Sequence, residues 1–349
     1  MGEQRGERGL RRWLRVAKDI RDDVRRAAVA AERQLKVAKQ TASATEAAAA
    51  AARASSRETQ RQLQAVTKAL KEQAALLEKV RAESARHGEE FRTLRVATTA
   101  ATMKDVHAFV AARQMGYRET LEALAHGGTS FARFGDGELR LMVDPFYNLG
   151  FQVNDPDLRD ELRLTLEQPQ DGLLVGWPRA FWTAHNSMMW SIMWDQVEPI
   201  LPREARFGNS HVSRPDCFQS LREEAVELWR QVWAGKRVAI VTGRGSRFEL
   251  VPQLFDNLAG HEFVYSEPRN AFSDVDRLVA EVRSLPGIDL CLVALGPAGT
   301  VLTRKLAAVG VRTIDVGHIS NSYANVFEGK PHPEKVAPVR SIEPEPLGS

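Results

Sequence analysis

The sequence predicts an α/β fold, a mostly parallel sheet with flanking helices, preceded by a long N-terminal helical, coiled-coil region. Three observations carry this. From residue 10 to 99 the chain has no proline and a single glycine, Gly88, among Ala, Arg, Lys, Glu and Gln, a composition that favours long helix. Past about residue 100, short apolar runs alternate with helical patterns, as βα units do. Four of those runs end in a glycine-bearing polar turn, the place where ligands approach an open parallel sheet. The expected organisation is a basic amphipathic arm over 1–40, an Ala-rich helix or coiled coil over 41–104, the α/β domain over 105–330 and a flexible tail over 331–349.

The 349 residues suffice for about two or three structural units. A content of 43% hydrophobic and 27% charged residues is that of a globular protein with a real core. No run approaches the roughly 18 consecutive apolar residues of a membrane span, and the Arg-rich start lacks the apolar stretch of a signal peptide, so a cytoplasmic location is expected. Cys217 and Cys291 are too few and too separated for a disulfide framework or zinc knuckle, and Cys291, inside the apolar run 290–295, reads as core. Residues 1–40 hold twelve Lys or Arg and six Asp or Glu, hence +6 (12 − 6), so the remainder sums to −3 (3 − 6). The basic excess therefore lies in the arm, and with no nucleic-acid motif in the domain, nucleic acid is not an expected partner.

In chain order, Leu10, Trp13, Leu14, Ala17, Ile20 and Val24 recur at helical spacing, with Arg11, Arg12, Arg15, Lys18 and Arg25 over the rest of the surface. Such a helix either touches the inner face of a membrane peripherally or continues a helical bundle; Asp19, Asp22 and Asp23 weaken the membrane reading. The alanine run 47–52 reads as a helical or partly frayed spacer. A heptad then places Leu63, Val66, Leu70, Leu77, Val80, Phe91 and Leu94 at a and d positions, interrupted by Gln73, Ser84 and His87. Either a homo-oligomeric coiled coil or a single helix packed back on the domain satisfies that pattern. In the domain, strands are expected over 130–134, 173–175, 237–242, 262–265, 289–295 and 312–316, and helices over 104–126, 156–167, 181–195, 217–233, 247–258, 273–284 and 298–308. The proline-rich stretch from Pro331 reads as loop.

The candidate chemistry sits at the strand ends. After the first strand comes Arg133-Phe134-Gly135-Asp136-Gly137-Glu138. Two carboxylates one residue apart among glycines can turn toward one divalent ion that also holds phosphate oxygens, or can be an exposed turn leading into a helix N-terminus. Gly243-Arg244-Gly245-Ser246-Arg247 leads into an expected helix and offers backbone N–H groups and two guanidiniums to a pyrophosphate; the other reading is a tight strand-to-helix turn. It is neither a G-x-G-x-x-G fingerprint, since Phe248 stands at the third glycine, nor a P-loop. Gly296-Pro297-Ala298-Gly299-Thr300 is a second close-approach turn with a hydroxyl to donate. His318, after Asp315-Val316-Gly317, is either a hydrogen-bonded loop residue or a ligand or orienter at a metal. Ser213-Arg214-Pro215-Asp216 and Arg269-Asn270 offer a further anion clamp and a polar contact.

Taken in order, R-F-G-D-G-E, S-R-P, T-G-R-G-S-R, P-R-N-A-F, A-L-G-P-A-G-T-V-L and I-D-V-G-H-I resemble the GT-D-type glycosyltransferases, the family defined by a D-x-E motif. The resemblance covers about residues 105–328 and leaves out the helical arm. It implies a Rossmann-like domain that binds a nucleotide sugar, with UDP-glucose the type donor, and uses Mn²⁺ or Mg²⁺ held through Asp136 and Glu138. With strand-end placement it assigns Arg133, Gly243, Arg244, Ser246, Arg247, Asn270, Gly296, Pro297 and Thr300 to the nucleotide sugar, and His318 to the metal or acceptor side. One departure stands out: where an acidic residue commonly follows Gly-His-Ile in the family, this chain has Ser320, and a serine cannot replace a carboxylate as base.

The expected function is metal-dependent transfer of a sugar to a glycan, protein or lipid-linked acceptor, with His318, Asp315 and Asp274 as candidates for the catalytic base. Two other classes compete. A methyltransferase or dehydrogenase would bind an adenine cofactor without metal, against which the missing third glycine and the D-x-E both count. A non-catalytic scaffold would make the helical arm the working part.

Overall fold

The computed structural model describes residues 3–335, with side chains from Arg12 onward. The side chains of Leu10 and Arg11 of the basic stripe, and the part of the expected tail from 336, lie outside what is described. The chain divides into two units, 1–89 and 90–349. One continuous helix, α1 (Glu3–Arg113), fills the first and enters the second, so the alanine run 47–52 is helical throughout. In the first unit Trp13, Leu14, Ile20 and Val24 are exposed, as are the heptad residues Leu63, Val66, Leu70, Leu77 and Val80. No helix among the described residues is long and apolar enough to cross a membrane.

The helix expected over 104–126 is two helices. The Met115 N–H donates to the Phe207 carbonyl (2.8 Å) and the Phe207 N–H to that of Arg113 (2.9 Å), which draws the backbone out of helix before α2 (Tyr117–His126) starts after Gly116. The last turns of α1 belong to the core of the second unit: Met103 and Val106 are fully buried, and Phe109 packs edge-on to Trp194 and against Trp177 and Phe207.

Beyond α2 the order is β1 (Ser130–Arg133), α3 (Asp136–Val143), α4 (Pro156–Glu167), β2 (Leu173–Trp177), α5 (Ala184–Val197), β3 (Gly208–Asn209), α6 (Pro215–Leu221), α7 (Glu223–Trp233), β4 (Arg237–Gly243), α8 (Pro252–Phe255), β5 (Gly260–Ser266), α9 (Val275–Ser284), β6 (Leu290–Ala294), α10 (Pro297–Ala308), β7 (Thr313–Asp315) and α11 (Ile319–Glu328). The strands form one parallel sheet in the order β3-β2-β1-β7-β6-β4-β5. Successive residues alternate between two cores: Ala239, Val241, Cys291 and Val293 face one, with α3, α4, α5, α9 and α10, while Val238, Ile240, Leu290 and Leu292 face the other, with α2, α6, α7, α8 and α11. Burial on both faces is why these strands read as unbroken apolar runs, and Cys291 is core as expected.

Three further differences have local causes. The helix expected over 217–233 breaks at Arg222, whose φ of 52° ends α6 before α7 begins. The helix expected over 247–258 is reduced to α8, because Pro252 sets its first turn and residues 244–251 remain a loop. Neither α11 nor the two-residue β3 is expected from the sequence, and α3 matches the helix N-terminus that is one of the two readings of the D-x-E pair. Trp229 is fully buried, stacks on Trp233 and donates its indole N–H to the Val212 carbonyl (3.0 Å), tying α7 to the short turn 210–213. Trp229→Ala is expected to cost about 3–5 kcal/mol of unfolding free energy, read from the shift in denaturant midpoint at unchanged slope.

Candidate functional site

In a parallel sheet all strands end on one edge. Here β1 leads outward to β2 and β3 on one side, and the chain returns through β4–β7 on the other, so the direction of winding switches between β1 and β7. That crevice is where an open α/β sheet takes its ligand. Arg133 ends β1 and Asp315 ends β7, their nearest charged atoms 3.9 Å apart.

Arg133 is almost fully enclosed. Its Nε donates to the Ser210 carbonyl (2.9 Å) and its Nη1 to Ser213 Oγ (2.6 Å), both on the turn that follows β3. The Thr300 hydroxyl, in the first turn of α10, donates to the Arg133 carbonyl (2.7 Å). Gly317 makes this packing possible, since with φ of 47° a Cβ there would stand 2.0 Å from Arg133 Nη1. Burial lowers the Arg133 pKa and pushes Asp315 up to about 7, so desolvation outweighs their mutual attraction; the Glu138 charge raises Asp315 further.

His318 caps the cluster. Burial and the positive charges of Arg214, Arg133 and Arg247 hold its pKa down to about 3, so the imidazole is neutral over the physiological range. Three guanidiniums from three separate segments therefore act on one point of the sheet edge. Arg214 pairs with Glu334, and Arg247 Nη1 donates to the Pro333 carbonyl (3.3 Å).

The D-x-E pair sits on a helix rather than in a loop. Asp136 and Glu138 occupy the first turn of α3, where residues two apart diverge by about 200° around the axis. Asp136 is exposed, with Oδ1 accepting the Gly137 N–H (3.0 Å). Glu138 folds back to accept the Gly135 N–H (2.9 Å), capping the helix, and burial raises its pKa. No group of three or more His, Cys, Asp or Glu able to hold a metal ion occurs among the described residues. With Glu138 engaged as the cap, exposed Asp136 is the carboxylate left to face solvent, which fits an ion completed by substrate phosphates and water, not an all-protein cage.

The remaining expected residues divide. Gly243, Arg244 and Ser246 form a tight turn instead of a helix N-terminus: the Ser246 N–H returns to the Gly243 carbonyl (2.9 Å), and Arg244 stacks over Tyr265 at 5.6 Å. Of that motif Arg247 reaches the cluster. Asn270, at φ 52°, accepts the Val153 N–H (2.9 Å) and so anchors the loop after α3. That loop lays Phe151 against Gly296, where φ is 57° and a Cβ would meet the ring at 2.9 Å; Pro297 starts α10. Asp274 closes the short turn 271–274 beyond β5 and accepts the Glu267 N–H (3.1 Å) just past the end of that strand, which stands three strands from β7 or about 14 Å across the sheet. Arg277 holds its carboxylate in two hydrogen bonds (2.7 and 3.0 Å) and is the main reason its pKa falls to about 2. Ser320 is buried, its hydroxyl donated to the Glu249 carbonyl (2.6 Å). Sequence reasoning did not reach Ser210 or His211, because β3 is too short to carry a periodic signal.

Asp315 carries a pH signature. Its folded pKa of about 7 lies above its ordinary 3.8, so its contribution to stability is complete below about pH 4 and is lost as pH rises through 7. Asp315→Asn is expected to flatten the stability profile between about pH 4 and 7, a change of up to about 4 kcal/mol, measured by denaturant titration across that range.

Comparison with known proteins agrees with this architecture. The family described as glycosyltransferase GT-D fold matches residues 131–336. Glycosyltransferase GlyD of Streptococcus pneumoniae serotype 4 is 28% identical over 220 residues, covering 60% of this chain and 27% of that protein. A probable glycosyl transferase, Gly, of Streptococcus gordonii is 28% identical over 242 residues, covering 64% and 34%. The chain thus spans about a quarter to a third of these relatives. Among solved structures, the domain of unknown function 1792 described as having a distinct glycosyltransferase fold superposes with a TM-score of 0.60 at 26% identity, covering 70% of this chain and 91% of that one. A glycosyltransferase of the same domain type from Streptococcus sanguinis gives 0.57 at 28% identity, covering 63% and 86%. These matches set aside the adenine-cofactor reading, and with the family covering well over half of its length, the chain belongs to the glycosyltransferases of GT-D fold.

Proposed function

We propose that the chain transfers a sugar from a nucleoside-diphosphate sugar, a UDP-sugar, to a hydroxyl of a glycan, glycoprotein or lipid-linked saccharide. The observation that carries the reading is the meeting of Arg133, Arg214 and Arg247 around neutral His318 at the β1–β7 crevice, next to exposed Asp136. A diphosphate is the ligand such a cluster suits: two guanidiniums can engage its oxygens while the third, locked by Ser210 and Ser213, keeps the local potential positive. Arg214 already pairs with a carboxylate, that of Glu334.

Asp136, with Glu138 rotated out of its cap, would hold a divalent ion, Mn²⁺ or Mg²⁺, which when bound neutralises charge on the departing diphosphate. Arg247 and Arg214 stabilise the same developing charge from the chain itself. His318 has too low a pKa to take a proton at neutral pH and serves to pack and orient the arginines. Phe151 over Gly296 gives the nucleobase an aromatic wall beside Pro297. The test is release of UDP from UDP-glucose, UDP-galactose and UDP-N-acetylglucosamine with Mn²⁺ or Mg²⁺ present. UDP from at least one supports the reading, and none from any overturns it.

The exposed heptad stripe of α1 supports assembly of identical chains through a coiled coil. Leu70→Lys with Leu77→Lys is expected to convert the assembly to monomer in light scattering on the full chain. A wild type that is already monomeric contradicts the assignment.

A further inference from the structure

The loops after β2 and β3 flank the arginine cluster on the side away from β7, and they hold a second constellation. On the turn 210–213, Ser210 and Ser213 grip Arg133, while His211 between them turns elsewhere and places Nδ1 2.9 Å from Asp216 Oδ2. The same carboxylate oxygen accepts the Tyr117 hydroxyl (2.6 Å). Arg179 donates to that hydroxyl (2.7 Å) and stands 3.6 Å from Asp216. Burial opposes ionisation of Asp216, but hydrogen bonds from His211 and Tyr117 prevail and hold its pKa near 2. With Nδ1 engaged by a carboxylate, Nε2 is the nitrogen left for an external proton, the arrangement of a general base with its orienting group.

Aromatic surface adjoins this pair. The Phe181 ring lies 5.7 Å from that of His211, with the Arg179 guanidinium 5.3 Å above it. Trp182 stacks one face on His107 (4.8 Å, 7°) and is 56% exposed, so its opposite face is open to solvent. An open indole beside hydrogen-bonding groups suits a sugar ring, whose C–H face packs on the π system while its hydroxyls find polar partners. Other candidates for the base are poorly placed: Ser320 is buried and bonded, Asp315 is enclosed beneath Arg133, and Asp274 is locked by Arg277.

We propose that the loops after β2 and β3 form the acceptor subsite, where Trp182 and Phe181 carry an acceptor saccharide and the His211–Asp216 pair takes the proton from its attacking hydroxyl. The assignment rests on the sugar-transfer reading above. In the step, the acceptor oxygen bonds to the anomeric carbon and its proton passes to His211 Nε2. The bond from the anomeric carbon to the diphosphate oxygen breaks, and its electron pair leaves with the nucleoside diphosphate. Water in place of the saccharide gives donor hydrolysis by the same proton transfer.

The test uses the full chain, whichever of the three UDP-sugars is cleaved, and either p-nitrophenyl β-glucoside or water as acceptor. His211→Ala is expected to lower kcat about 10²-fold or more, with UDP affinity within about twofold and partial recovery on adding imidazole. Trp182→Ala is expected to raise the KM for the glucoside about three- to tenfold, an effect larger than the one on kcat. A His211→Ala kcat within about threefold of wild type, or loss of UDP binding together with turnover, overturns the subsite. If wild type neither binds UDP nor cleaves a UDP-sugar, the transfer reading itself fails; if it does both and His211→Ala is indifferent, the subsite alone fails.

Discussion

Asp136→Ala is expected to lower the rate of sugar transfer by about 10²- to 10⁴-fold with little loss of stability. The side chain is exposed and makes one local bond, to the Gly137 N–H, so its structural share is the favourable end of a helix dipole, about 0.3–1 kcal/mol. Its proposed catalytic share is larger, because charge leaving with the diphosphate builds up in the transition state and interactions made there act on kcat. Glu138→Ala should behave differently. Glu138 caps α3 through the Gly135 N–H, so its loss combines a slower reaction with about 1 kcal/mol of lost stability. Steady-state kinetics beside thermal melts separate the two; an Asp136→Ala protein as active as wild type removes Asp136 from the chemistry.

Arg133→Ala is expected to be the most destabilising change at the site, about 3–5 kcal/mol, and to abolish donor binding with it. Removing the guanidinium frees the turn 210–213, leaves Ser213 Oγ without its donor and takes the counter-ion from enclosed Asp315. Because Asp315 titrates near 7, the loss should be larger at about pH 8, where the carboxylate is charged, than at about pH 6, where it carries a proton. Arg133→Lys keeps the charge but not the fork that spans Ser210 and Ser213, and is expected to recover only part of the stability. Adding Asp315→Asn to Arg133→Ala should cost less than the two changes summed, a coupling measured by a double-mutant cycle.

Much of the fold is legible in the sequence where one physical cause dominates. β4 and β6 are buried on both faces and read as apolar runs bounded by Lys236, Gly243, Asp289 and Gly296. α4, expected over 156–167, falls on those bounds because Asp155 caps it by accepting the Asp157 N–H and Pro156 sets its first turn. Where tertiary contacts compete, the pattern misleads: Gln114 to Gly116 sit in a good helical composition, yet pairing with Phe207 breaks the helix. Arg222 interrupts an amphipathic stretch at a positive φ that its residue type does not announce. For the site, the strand-end motifs identify Arg133, Arg247, Asp315 and His318. Which of them meet depends on strand order, and only β1 beside β7 brings Arg133 to Asp315 while leaving Asp274 three strands away. The serines that orient Arg133 stand on a turn after a two-residue strand, below the length at which alternation is visible.

Calorimetric titration of UDP into the full-length protein with Mn²⁺, with EDTA, and into the Asp136→Ala and Arg247→Ala variants tests the central claim most directly. The account predicts saturable binding that needs both the ion and Asp136, and that weakens about tenfold or more when Arg247 is removed. Absence of UDP binding in the presence of Mn²⁺, or binding indifferent to the ion and to both side chains, would contradict it.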